Sequence, residues 1–385
     1  MSSRSETRAR IEASFGQPFV PGNQLDRLKN GVEIFPALFE AVRGARWTID
    51  FLTFIYWRGD VAYELAQLFA AKAREGIRVR VLLDGVGSLK MDPELRRTMT
   101  RAGVDVRTFR PPSTWRLWRL DHRTHRKILV VDGRVGFTGG VGIATEWEGD
   151  AEDPEHWRDD HFRLRGPALV GLHAAFVGNW MEVARTVANE DLDRFRDLEE
   201  EGAASILSLR STASVGWSDL MLLVHLVAAC AQGRLRLTTP YFVPDEETVR
   251  LLCAAAERGV VVEVLTAGRY NDQRVALLAG RVYFQRLLDA GVEIHLFDRT
   301  MMHTKALTLD GWFAVVGSPN WNHRSLRKDD ELCLVVDDDA FVRILDADFD
   351  EDLEASRTLD AARWAQRGWS ARLAERVCHA VRHEL

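Results

Sequence analysis

The stretch from His125 to Gly133 reads HRKILVVDG, and in the second half of the chain His303 to Gly311 reads HTKALTLDG. In each, histidine and lysine stand two residues apart, so a strand projects both to one face. Four apolar or β-favouring residues follow, and an Asp-Gly pair closes the stretch as a hairpin turn. Working outward, the surroundings repeat as well. Trp47 to Trp57 (WTIDFLTFIYW) is followed by an amphipathic helix from Ala62 to Glu75, then Gly76 and the strand IRVRVLLD. Leu235 to Val243 (LRLTTPYFV) is followed by a helix from Glu246 to Arg258, then Gly259 and VVVEVLTA. RAGVDVRTF at Arg101 then matches DAGVEIHLF at Asp289. The glycine after each helix fits a left-handed C-cap.

Such self-similarity marks an internal duplication. Strands alternating with helices imply an α/β fold. The expectation is two tandem α/β domains, each a mixed, mostly parallel sheet flanked by helices, related by a pseudo-two-fold axis. Equivalent loops would then face each other and place His125 near His303. The expected boundaries are an N-terminal arm over 1–30, a first domain over 31–188, an acidic linker over 189–204, and a second domain over 205–385 ending in an amphipathic helix.

Composition narrows the function. A chain of 385 residues with net charge −6 suits two ordinary domains and argues against a protein that coats nucleic acid through bulk charge. Only six lysines occur, and Lys127 and Lys305 are two of them, as though a compact point charge were needed there. Cys230, Cys253, Cys333 and Cys378 form no CxxC pair and read as small buried hydrophobes. The N-terminal residues lack an apolar signal core, and the longest apolar run, Met221 to Cys230, is about half the ~20 residues needed to span a bilayer. No transmembrane helix is predicted.

Two imidazoles and two ammonium groups suffice for phosphodiester exchange. One histidine attacks phosphorus while the other protonates the leaving alkoxide and later deprotonates the incoming hydroxyl. The lysines stabilise charge on the non-bridging oxygens. No metal or other cofactor is called for. In GSPNWNHRS, Ser318 and Asn320 are candidate donors to phosphate oxygens, and Glu331 is a candidate to orient a histidine ring. In the first half, FTGGVGIATEW supplies Gly140 and Gly142, and Asp159 aligns with Glu331, with Asp160 one residue off. Asp132 and Asp310 read mainly as structural turn residues, with electrostatic support of the site as the other reading.

Both His-x-Lys-x4-Asp motifs and the GG and GS segments that follow resemble the phospholipase D superfamily. TPYFVPDE (Thr239 to Glu246), DHRTHRKILVVDGRVGFTGG and the WRDDHFRLRGPA run at Trp157 are similar to bacterial cardiolipin synthases. The resemblance runs from about Gly31 to the C-terminal region. It implies a phosphohistidine intermediate, with His125 as nucleophile and His303 as general acid and base. It also implies a phosphatidyl group transferred from phosphatidylglycerol, or another glycerophospholipid, to a second lipid alcohol, with glycerol released. Hydrolysis to phosphatidic acid is the alternative, and a nuclease of the same superfamily is a more distant one. The family's usual asparagine after GG is here Gly142, and Asp329 stands where many relatives carry asparagine. Phosphate ligation would then lean on Asn320 or on backbone N–H groups of the Gly140–Gly142 loop. The chain resembles a soluble, peripheral subgroup without N-terminal membrane helices, expected in the cytoplasm at the inner face of the cell membrane.

Two segments could meet that membrane. Ser113 to Arg123 (STWRLWRLDHR) interleaves tryptophan and arginine, which suits a bilayer interface or a packed rim loop. Arg363 to Arg382 has an amphipathic pattern whose apolar stripe is expected to pack onto the second domain, with membrane contact the alternative.

Overall fold

The computed structural model describes residues 4–112, 122–185, 195, 198–212 and 218–380. The Trp-Arg segment from Ser113 to Asp121 and half of the acidic linker lie outside the described residues.

A helix α1 (Arg4–Phe15) leads in. The first half runs β1 (Val20–Lys29), α2 (Asn30–Gly44), β2 (Thr48–Thr53), α3 (Asp60–Arg74), β3 (Arg78–Asp84), α4 (Pro93–Arg101), β4 (Asp105–Phe109), β5 (Ile128–Val131), β6 (Val135–Gly139), β7 (Asp160–Arg165) and α5 (Leu169–Ala184). The second half runs β8 (Ala204–Ser211), α6 (Asp219–Cys230), β9 (Arg234–Thr239), α7 (Glu246–Glu257), β10 (Val261–Ala267), α8 (Arg274–Gly280), α9 (Phe284–Asp289), β11 (Glu293–Phe297), β12 (Ala306–Leu309), β13 (Phe313–Gly317), α10 (His323–Arg327), β14 (Glu331–Asp337) and α11 (Asp339–Glu354). β15 (Ser356–Thr358), α12 (Ala361–Ala365) and α13 (Trp369–Ala380) follow.

All the strands join one 15-stranded sheet in the order β15-β11-β10-β9-β12-β13-β14-β8-β1-β7-β6-β5-β2-β3-β4. Setting β15 aside, the order outward from the β8–β1 junction is the same in both directions, so the pseudo-two-fold axis passes there. Parallel pairing is confined to β2–β3–β4 and β9–β10–β11, and the rest of each half is antiparallel. The sheet is therefore mixed with a larger antiparallel share than expected. The cause is the tight turn inside each motif. Asp132 and Gly133 have φ of 55° and 64°, Asp310 and Gly311 have 52° and 75°, and both turns return the chain as a hairpin.

Each half keeps a core of its own, and a third cluster joins the two. α5 and α11 pack on the sheet's centre, where Phe162, Leu172 and Phe176 share one cluster with Val316, Leu334 and Phe341. The supposed N-terminal arm is also structural. β1 pairs with both β7 and β8, while Ile11 and Phe19 enter the core of the second half and Arg4 reaches Asp337 at 2.6 Å. The Pro-Gly-Asn start of β1 reads locally as loop, and only its two neighbours make it a strand.

At the other end, the expected packing of α13 is reversed. Trp369, Leu373 and Val377 are 78%, 53% and 63% exposed, while Glu375 is buried. Trp364 of α12 is the residue that enters the core, and Arg367 reaches Glu375 at 3.2 Å.

Candidate active site

The cleft forms where the carboxyl ends of β2 and β9 meet the amino ends of β5 and β12. His125 and Lys127 sit just before β5, and His303 and Lys305 just before β12. Each histidine is delivered by a short parallel contact with the other half. His125 N–H donates to Asp330 O at 2.9 Å, and Asp330 N–H to Arg123 O at 2.8 Å. His303 N–H donates to Arg158 O at 2.7 Å, and Arg158 N–H to Met301 O at 3.0 Å. The two crossings are copies of one another.

The crossings decide which acid serves which histidine. His125 Nδ1 lies 2.9 Å from Glu331 Oε1, and His303 Nδ1 lies 2.6 Å from Asp159 Oδ2. Each ring is thus held by the carboxylate of the opposite half. Donation from Nδ1 fixes the tautomer and leaves the Nε2 lone pair available. The protonation states are consistent with this. Burial pushes His303 down to about 3, aided by Lys305 and opposed by Asp159. His125 is also lowered, by burial first, with Glu331 opposing and Lys127 assisting. Burial would raise Glu331 and Asp159, but their histidine and lysine partners outweigh it and hold both carboxyls below the usual range. Neutral imidazoles against ionised carboxylates is the arrangement a nitrogen nucleophile needs.

Each carboxylate is fixed differently, which corrects two expected phosphate contacts. Ser318 Oγ donates to Glu331 Oε2 and does not line the cleft. In the first half, Trp147 Nε1 and the Asp160 N–H donate to Asp159, each at 2.9 Å. A Cβ on Gly140 would lie 2.2 Å from Asp159 Oδ1, so glycine makes room for the acid, and Gly140 does not line the cleft. Gly142 is also off the cleft, since a Cβ there would lie 2.9 Å from the Trp147 ring and from Ile55.

The lysines behave alike. Lys127 Nζ donates to His125 O at 2.8 Å, and Lys305 Nζ to His303 O. Burial lowers Lys127 to about 7 and Lys305 to about 8, so an arriving anion would restore their charge. Asn320 lines the cleft, and its buried Oδ1 has no partner. Burial, with Glu331 nearby, also lifts Asp329 at the rim to about 7.

Asp132 and Asp310 stand away from the cleft. Asp132 accepts from the N–H groups of Arg46, Trp47 and Thr48 at 2.8 Å each. Asp310 accepts from Gln232, Gly233 and Arg234, the last at 2.9 Å. Each pins the start of the neighbouring strand, so electrostatic support of the site is not their arrangement. The groupings Glu152–Asp153–His156 and Glu263–Glu293–His295, close enough to share an ion among the described residues, include no residue of the two motifs.

The cleft also has aromatic walls that no motif marks. Phe54 meets His125 edge-on at 5.2 Å, and Trp147 and Trp157 flank His303 at 5.3 and 5.2 Å. Tyr241 lines the same cleft, its hydroxyl 2.6 Å from Asp272 Oδ1. Trp147 and Trp157 both precede the aligned acid Asp159 in sequence, which is the available signal. Nothing local shows that they face a histidine of the other half.

Fold and cleft together define a duplicated α/β enzyme with one candidate active site between its halves. Comparison with known proteins agrees. The family model described as the phospholipase D-like domain of cardiolipin synthase matches residues 38–147 and 227–353. A probable cardiolipin synthase of Bacillus subtilis is 33% identical over 90% of this chain and 69% of its own length. A cardiolipin synthase of Geobacillus kaustophilus is 31% identical over 96% and 74%. The crystal structure of the phosphatidylserine synthase of Haemophilus influenzae superposes with a TM-score of 0.78 over 98% of this chain and 100% of that one. At 16% identity that likeness is one of fold. The chain belongs to the cardiolipin synthase family of the phospholipase D superfamily, and it is a phosphatidyltransferase.

Proposed function

We propose that this enzyme makes cardiolipin from two molecules of phosphatidylglycerol, releasing glycerol. The observation that carries the reading is the crosswise pairing of each histidine with the other half's carboxylate, which presents two oriented imidazoles to one cleft. His125 Nε2 attacks the donor phosphorus, in keeping with the family resemblance. The P–O bond to glycerol breaks, and the glycerol oxygen takes its proton from His303. His303 is neutral in the empty site, so it takes up a proton from solvent as the anionic phosphodiester binds and raises its proton affinity, and the imidazolium then acts as the acid. A glycerol hydroxyl of the second phosphatidylglycerol then gives its proton to His303 and attacks the phosphohistidine, and the P–N bond breaks. Lys127, Lys305 and Asn320 receive the non-bridging oxygens, and no metal is required in this scheme.

The enzyme meets its substrate at the cytoplasmic face of the membrane as a peripheral protein. No helix among the described residues is long and apolar enough to cross a membrane. Nucleic acid is not a substrate in this reading.

Incubation of purified protein with phosphatidylglycerol vesicles and EDTA tests it. Cardiolipin and glycerol in equal amounts are expected. Phosphatidic acid alone would replace transfer with hydrolysis. Cleavage of single-stranded DNA without lipid turnover would refute the lipid reading. Protein denatured at neutral pH during turnover should carry a phosphatidyl group on His125 and not on His303.

A further inference from the structure

Helix α13 binds the body of the protein through one face and leaves the opposite one uncovered. Glu375 is buried, His379 Nδ1 lies 3.1 Å from Ala279 O on α8, and Cys378 packs against the cluster holding Ala276 and Ala279. Successive helical residues turn by about 100°. Trp369, Leu373 and Val377 therefore form a stripe nearly opposite Glu375, and they are 78%, 53% and 63% exposed. A soluble amphipathic helix turns such a stripe inward. Here the helix shows it to solvent.

The charge beside the stripe says what covers it. Arg372 and Arg376 are exposed along one edge of the stripe, and Arg363 is exposed on α12. The Arg372 guanidinium also donates to Ala365 O. Between Ala361 and Ala380 four arginines face a single carboxylate, Glu375, which Arg367 already engages, in a chain of net charge −6. Tryptophan and aliphatic side chains flanked by arginine are the composition of a helix lying in an anionic membrane interface. A second copy of the chain is a poorer fit. A fully buried aromatic covers roughly 150–250 Å², so three partly exposed side chains fall short of the ~800 Å² that each partner gives a stable interface. The helix is also placed to serve the site, because α8, on which it rests, starts right after Asp272 and Gln273 of the cleft rim.

The geometry points to α13 as the surface that docks this protein on an anionic lipid bilayer. Trp369, Leu373 and Val377 enter the interface, and Arg372 and Arg376 meet the headgroup phosphates. This deepens the phospholipid reading above and rests on it.

Flotation of the full chain with vesicles of phosphatidylglycerol and phosphatidylcholine tests the surface directly. Wild type should float with these and far less with phosphatidylcholine alone. Trp369→Ser, Leu373→Gln and Val377→Gln together should weaken binding at least tenfold. Arg372→Gln with Arg376→Gln should weaken it by about fivefold per arginine, the equivalent of about 1 kcal/mol each. Both variants should keep wild-type melting curves and wild-type turnover of short-chain phosphatidylglycerol dispersed as monomers. Wild-type flotation by the triple variant would overturn the proposal. So would a wild-type dimer that the triple substitution turns into monomer with vesicle binding unchanged, since a second copy would then cover the stripe. If no form of the protein turns over the monomeric lipid, the transfer reading fails while flotation still decides the docking surface.

Discussion

The crosswise geometry makes the two acids separable by experiment, although they look equivalent in sequence. Glu331→Gln keeps the side chain's shape. The amide oxygen can still accept from His125 Nδ1, now at 2.9 Å from Glu331 Oε1, and the amide N–H₂ can donate to Ser318, which now donates to Glu331 Oε2. What is lost is the negative charge beside an imidazole that becomes cationic as it bonds to phosphorus. Two unit charges about 4 Å apart at an effective dielectric of about 20 interact by ~4 kcal/mol. At about 1.4 kcal/mol per tenfold, the rate of phosphoenzyme formation should fall by about 10³. Asp159→Asn removes the same charge from His303, Asp159 Oδ2 being 2.6 Å from its Nδ1, and should cost a similar factor in glycerol release. A p-nitrophenyl phosphodiester separates the two, since its leaving group departs without a proton. In stopped flow, Asp159→Asn should keep the nitrophenolate burst and lose only the later transfer step. Glu331→Gln should lose the burst. The reverse pattern would show that His303 is the nucleophile. A burst in both variants at the wild-type rate would falsify the claim that the opposite half's carboxylate sets the reactivity of each ring.

Three further outcomes follow from the same geometry. Lys127, lowered to about 7, is largely neutral in the empty site at pH 8, and Lys305, at about 8, is half so. An anion favours the charged forms, so titration of inorganic phosphate at pH 8 in buffers of different ionisation enthalpy should show uptake of about one proton or more. Zero uptake at pH 8 would mean that the ammonium groups are already charged. Gly140→Ser places a Cβ where 2.2 Å separates it from Asp159 Oδ1. It should lower Tm by the equivalent of about 1–3 kcal/mol and slow turnover more than tenfold, whereas a serine that improved turnover would show that the position is a phosphate ligand after all. Asp310→Ala leaves the N–H groups of Gln232, Gly233 and Arg234 without their acceptor. Unfolding in urea should show a loss of about 2–3 kcal/mol, with kcat per folded molecule near wild type, and a selective loss of kcat would instead tie Asp310 to the chemistry.

The internal duplication, the two His-x-Lys pairs and the correspondence of Asp159 with Glu331 were all legible in the sequence, because each depends on local spacing and on a repeat that can be laid over itself. Gly133 and Gly311 announced the hairpins for the same reason. What the repeat could not show is how its two copies use each other. Glu331 and Asp159 are interchangeable in an alignment, and only the short contacts of Thr124 with Asp330 and of Met302 with Arg158 assign each acid to the histidine of the other half. The residue types of Ser318 and Gly140 suit a phosphate ligand. Their roles as partner to one carboxylate and space for another follow from which side chain lies behind them. Likewise, the pattern of α13 revealed an amphipathic helix, but its outward turn is decided by the anchoring of Trp364, Glu375 and His379 on the second half. Sequence periodicity records which residues share a face, and contacts between distant segments determine what that face meets.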